Sequence, residues 1–104
     1  MDRAEALGML CWCVPAALVG EVTPNLVSVT AGVDGKTVRV VFYYDGPPSD
    51  DDVETGRLAT TEIIAAFPPK EGWMIEDDFY NVRDRPEEPL DLVLFKRRPQ
   101  TPFE

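Results

Sequence analysis

The sequence contains no histidine. That removes the side chain that titrates near neutrality, and with it the Ser-His and Cys-His nucleophile pairs and the commonest zinc ligand. Phosphate-binding loops are missing too, since neither G-x-x-x-x-G-K-[ST] nor G-x-G-x-x-G occurs. Cysteine is confined to Cys11 and Cys13, too few and too close for a disulfide framework. Two residues apart on a helix they point to different faces, so they read as buried thiols in a reducing cytoplasm. Basic residues are scarce: 10 Lys and Arg stand against 19 Asp and Glu, for a formal charge of −9. Phosphate backbones and anionic membranes both call for cationic surface, so no nucleic acid and no membrane is expected as a partner. One apolar run, residues 7–19 ("LGMLCWCVPAALV"), is too short to span a bilayer as a helix. The "MDRAEA" before it lacks the basic lead of a secretion signal, which leaves a cytoplasmic protein as the expectation.

What is present suits a single domain over residues 1–104, with 44% apolar residues to build a core. Proline divides the chain, because it cannot donate into a helix or a sheet ladder. Pro24, Pro47-Pro48, Pro68-Pro69, Pro86, Pro89, Pro99 and Pro102 separate segments of consistent period. From Asp2 to about Val14, Ala4, Leu7, Cys11 and Val14 recur at helical spacing. Met9, Leu10 and Trp12 widen that stripe, which predicts a deeply buried helix with Trp12 in or near the core. Pro15 should kink or end it.

"LVSVTAGVDGKTVRVVFYYD" is two alternating runs around Asp34-Gly35, the signature of a type I′ hairpin turn. A two-residue Asp34-Gly35 loop sets Ala31 opposite Val38, Val29 opposite Val40 and Val27 opposite Phe42, all on one apolar face. The other face carries Ser28, Thr30, Arg39, Val41 and Tyr43, a mixed set that reads as partly covered or as a contact surface. Ser49 with Asp52 three residues on is a capping-box variant, opening a helix to about Phe67 with Val53, Ala59, Ile63, Ala66 and Phe67 near one face. Lys70-Glu71-Gly72 form a turn, residues 73–82 a strand opened by a near-core Trp73, "NVRDRPEEP" a loop, and residues 90–97 a last strand ending in basic Lys96-Arg97-Arg98. The order α-β-β-α-β-β predicts an α+β fold: a four-stranded, mostly antiparallel sheet with two helices packed on one face.

The carboxylates need separate attention. Asp45, Asp50, Asp51, Asp52 and Glu54 crowd the short stretch "DGPPSDDDVETG". Read as a calcium loop from Asp50 it fails twice: Thr55 stands where the turn needs Gly, and Thr61 where the ion needs Glu. A carboxylate-pair hydrolase would need a nucleophile and a substrate pocket, and nothing marks either. No catalytic residue, cofactor or metal is therefore expected. Acids at a helix start are favoured by the dipole, yet three adjacent aspartates repel one another. The remainder reads as a surface facing a basic partner, formed by Asp50, Asp51, Asp52 and Glu54, with Glu76, Asp77, Asp78 and the Tyr43 face as further candidates.

The blocks "ALVGEVTPNLVSV", "VVFYYDGPPSDDDVE", "ATTEIIAAFP" and "PLDLVLFKRR" follow one another in the chain. Together they resemble the small acidic immunity proteins of contact-dependent growth inhibition and related polymorphic toxin systems. The resemblance implies a non-catalytic protein that binds and neutralises a cognate toxin domain, often a basic nuclease, in the producing cell's cytoplasm. The alternative from the residues alone is a small structural or regulatory module, acting as a homodimer or a subunit of a complex. Either leaves the free chain a monomer or a homodimer.

Overall fold

In a computed structural model the described residues are 1–88 and 90–97. The Pro89, Pro99 and Pro102 boundaries and the Arg98 end of the basic run lie outside them. The elements are α1 (Arg3–Ala17), β1 (Leu26–Asp34), β2 (Thr37–Tyr44), α2 (Asp50–Ala65), β3 (Met74–Asn81) and β4 (Leu92–Lys96), with a 3₁₀ turn at Pro69–Glu71. This is the expected α+β order. The sheet runs β3-β2-β1-β4; β1 is antiparallel to β2 and β4, whereas β3 is parallel to β2. The parallel pair follows from its connection, because α2 carries the chain back along the sheet before β3 begins.

The hairpin keeps its expected faces but not its expected pairs. Asp34 pairs with Thr37, so Gly35 and Lys36 form the loop, and Ala31 lies opposite Val40, Val29 opposite Phe42 and Val33 opposite Val38. Gly35 has φ 60° and no non-glycine residue among the described ones, Lys36 included, has positive φ, the pattern of a type II′ turn with glycine first. The difference from the expected register is a slip of two, which period-2 alternation tolerates without changing which side chains face the core. An irregularity between Leu26 and Ser28 then breaks that alternation, and it is Leu26, not Val27, that is fully buried at the strand's start.

Both helices pack on the face that bears Val29, Ala31, Val33, Val38, Val40 and Phe42. From α1 the core receives Ala6, Leu10, Cys13, Val14 and Ala17, with half-buried Leu7 packed against it, whereas Ala4 and Cys11 of the expected stripe are exposed. Cys13 is buried, and burial pushes its thiol up; Cys11 is exposed, contrary to expectation. The helix also passes through Pro15 to Ala17 without ending. Pro15 sits on the exposed side, where a carbonyl that loses its donor can be solvated. In α2 the core side is Gly56, Ala59, Thr60 and Ile63, continued by Phe67, while Ala66 is exposed and Val53 half-buried. A Cβ at Gly56 would collide with the Phe79 ring, which itself stacks on Phe42 with centroids 5.0 Å apart. That glycine lets α2 lie close against β3.

Two ties set the direction of the helices. Asp91, just before β4, accepts the Val33 N–H at 2.9 Å and pairs with Arg3, which places the start of α1 at the hairpin-turn end of the sheet. The Val33 N–H, with Arg3 beside it, holds the Asp91 carboxyl below its usual range. At the opposite end Asn25 Nδ2 donates to Asp52 Oδ2 at 2.8 Å, joining the chain after α1 to the first turn of α2. The helices are therefore antiparallel neighbours.

Candidate functional site

Ser49 caps α2 as expected. Its hydroxyl accepts the Asp52 N–H at 3.0 Å while Asp52 Oδ2 accepts the Ser49 N–H at 2.9 Å. The four acids of this turn thereby separate by role. Asp52 is only 4% exposed. Burial pushes its carboxyl up, but hydrogen bonds from the Asn25 amide and the Ser49 N–H more than offset this and leave it below the ordinary value. Tyr44 lies against the same turn, its hydroxyl donating to the Asp52 carbonyl at 3.4 Å; burial, with the Asp52 charge adding, pushes that phenol up. Asp50, Asp51 and Glu54 are exposed and form no salt bridge among the described residues. Asp50 and Glu54 border a shallow groove of about 440 Å³ with Arg57 and Leu58.

The acids of β3 divide in the same way, because successive side chains of a strand point to opposite faces. Asp77 turns toward the helices, where Thr60 Oγ1 donates to it at 2.9 Å. Asp78 turns the other way and pairs with Arg39 at 3.2 Å, and Glu76 is exposed. Around them an open groove of about 780 Å³ is lined by Asp34, Thr37, Arg39, Glu76, Asp77 and Asp78. Among the described residues no three acids or cysteines converge on a point that could hold a metal ion.

Tyr43 is 0% exposed, as are Ser28 and Val41 on the same outer face of the hairpin. Residues 82–88 lie across that face as a strap. Tyr43 Oη accepts the Glu88 N–H at 2.8 Å, Ser28 Oγ donates to Glu87 at 3.1 Å, and Arg85 sits 4.4 Å above the Tyr80 ring. Lys96 and Arg39 hold Glu87 and Glu88 from the sheet side at 3.0 and 3.8 Å. The mixed hairpin face is thus covered by the chain itself, and Glu87 and Glu88 fasten that cover. The alternation in "NVRDRPEEP" carried no sign of this, since the contacts join residues 45 and 59 positions apart.

Trp73 is half-buried, tilted against Phe67 with centroids 5.1 Å apart and donating Nε1–H to Glu71 at 3.1 Å. Trp12 departs from expectation: it is 77% exposed. The core-facing residues of α1 already complete one helical stripe at positions 6, 10, 13, 14 and 17. Of the remaining apolar residues of that helix Leu7 and Met9 are half-buried against the core, and Trp12 is left on the opposite side.

Fold and surface define a small α+β protein with exposed, unpaired carboxylates at the start of α2 and an exposed apolar face on α1. Residues 8–99 match the family described as MafI2 immunity protein, and the chain belongs to that family. It is a family of toxin-neutralising immunity proteins from polymorphic toxin systems, generally non-catalytic. Among curated proteins none matches the chain. Among the described residues no helix is long and apolar enough to cross a membrane.

Proposed function

We propose that this chain neutralises its cognate toxin by capping a basic, nuclease-type toxin domain in the cytoplasm of the producing cell, without chemistry of its own. One observation carries the reading: the acids sort into those that hold the fold and those that do not. Asp52, Asp77, Asp78, Glu87 and Asp91 each bond to a partner within the chain, whereas Asp50, Asp51 and Glu54 are exposed and unpaired among the described residues. Unpaired surface carboxylates on a chain of charge −9 attract a cationic partner. A nuclease has cationic surface of necessity, because its substrate is a polyphosphate. The partner surface is the start of α2 with exposed Asp50, Asp51 and Glu54, and Glu76 with Asp78 on β3 is a second, separate acidic patch, whereas Asp52, Asp77 and Tyr43 bond within the chain.

The test is co-expression with the toxin domain encoded beside this chain's gene. Growth should be restored only when both are made, and the purified chain should suppress nucleic-acid cleavage by that domain at equimolar ratio. Killing unaffected by the chain overturns the reading. Neutralisation of a domain that cuts no nucleic acid overturns its nuclease part alone.

A further inference from the structure

No charged residue occurs between Glu5 and Glu21, so α1 is apolar nearly all round. A helix of that kind is ordinarily buried on every side. This one is not. Opposite its core stripe Trp12, Pro15 and Ala16 are exposed at i, i+3 and i+4, and Val19, just past the C-cap, continues that side at i+7, with Trp12 77% and Val19 79% exposed. Exposing a tryptophan is costly where nothing covers it, and tryptophan is among the residues that most often anchor a protein interface.

The structure also indicates what kind of surface covers this face. The second half of α1 lies beside the first half of the antiparallel α2, where Asp50, Asp51 and Glu54 are exposed. On α2 itself Leu58, 55% exposed, is a further exposed apolar residue beside Glu54, and Arg57 is the lone basic residue of that helix. An apolar centre with a charged margin is the ordinary anatomy of an interface. A second copy of this chain is a poor occupant. Pairing would bring together two chains of formal charge −9, each with exposed acids beside the patch, and their like charges repel. A cationic surface carrying an apolar recess fits both parts of the patch.

We propose that the Trp12 and Val19 face of α1 is the apolar anchor by which this chain docks its toxin domain, with the start of α2 as its acidic margin. The proposal rests on the immunity reading and adds the location of the contact. The probe is the toxin domain encoded beside this chain's gene, inactivated so that it can be purified. Trp12→Ala and Val19→Ser should each weaken binding by about tenfold or more, as anchor residues do. Val93→Ser, at an exposed apolar residue of β4, should stay within about twofold. With 5-fluorotryptophan in this chain alone, the Trp12 resonance should shift on adding the toxin domain while that of Trp73 holds still. That readout needs no interface substitution, so it decides the matter even where a variant folds poorly. Failure of the wild-type chain to bind the domain would sink the immunity reading itself. Wild-type binding with a stationary Trp12 resonance and unweakened Trp12→Ala overturns the docking face and leaves immunity standing. A free chain that sediments as a dimer, and as a monomer once Trp12 is replaced, assigns the face to a second copy and likewise overturns the proposal.

Discussion

The Glu88 N–H donates to Tyr43 Oη at 2.8 Å, joining the centre of the sheet to a segment 45 residues away. This bond fastens a charged loop over a sheet face that would otherwise show Tyr43, Val41, Thr30 and Ser28 to solvent. The face that suggested a contact surface is thus an internal one, and the surfaces left for a partner are the helices and the β3 edge.

Tyr43→Phe keeps the ring and removes the acceptor. Stability should fall by about 1 kcal/mol, the usual net worth of one hydrogen bond. Hydrogen exchange should quicken at the Glu88 amide while the β1 and β2 amides keep their protection. Unchanged exchange at Glu88 would show that the strap is held without this bond.

Gly56→Ala sets two effects against each other. Alanine in an exposed helix would stabilise by about 1 kcal/mol relative to glycine. Here the new Cβ enters the Phe79 ring, with Cζ only 3.2 Å away, and Phe79 is stacked on Phe42. Overpacking of this kind costs about 1–3 kcal/mol, so the variant should be less stable in urea. A more stable variant would show that α2 can slide outward freely.

Asp52 predicts an acid limb of stability. Its folded-state carboxyl is held below the ordinary value, so the folded state favours the ionised form. The contribution is complete above the unfolded pKa of about 3.9 and is lost as pH falls toward and through the lower folded value. Asp52→Asn should cost about 1–2 kcal/mol at neutral pH, within the range of a lost helix cap. It should also flatten the decline below about pH 4. A decline as steep as wild type would assign the acid limb to other carboxylates.

The two tryptophans should be separable by fluorescence. With Trp73→Phe, the remaining Trp12 should emit as in water and be quenched strongly by acrylamide. With Trp12→Phe, the remaining Trp73 should emit to the blue and be quenched less, because it packs on Phe67. Equal quenching of the two would contradict the placement of α1.

Charge steering should be visible once the capping acid is left alone. Asp50→Asn with Asp51→Asn removes two exposed charges and keeps Asp52, whose replacement would disturb the Ser49 cap and the Asn25 bond. Stability should change by no more than about 0.5 kcal/mol. Association with the toxin domain should slow, and its rate should depend less on salt, since exposed charges are screened beyond about 8–10 Å. A rate and salt slope equal to wild type would place the electrostatic contact elsewhere, at Glu76 first.

What the sequence determined by itself is what nearby residues decide among themselves. Ser49 and Asp52, three apart, close a capping box wherever a helix follows. Gly35 takes positive φ at almost no cost, and the alternation on either side of it names the buried face of the hairpin even when the pairing slips by two. The blocks from "ALVGEV" to "PLDLVLF" already resembled the family. Tertiary structure decided the rest, because exposure depends on what lies across the gap and not on the neighbours in the chain. Beyond Glu5 α1 carries no charge and is apolar on both sides, and only the sheet and α2 choose which side is buried; Trp12 fell on the other. Asp52 has the same spacing as its solvated neighbours until Asn25, 27 residues away, donates to it. Tyr43 alternates like any surface residue of β2 until the strap of residues 82–88 closes over it.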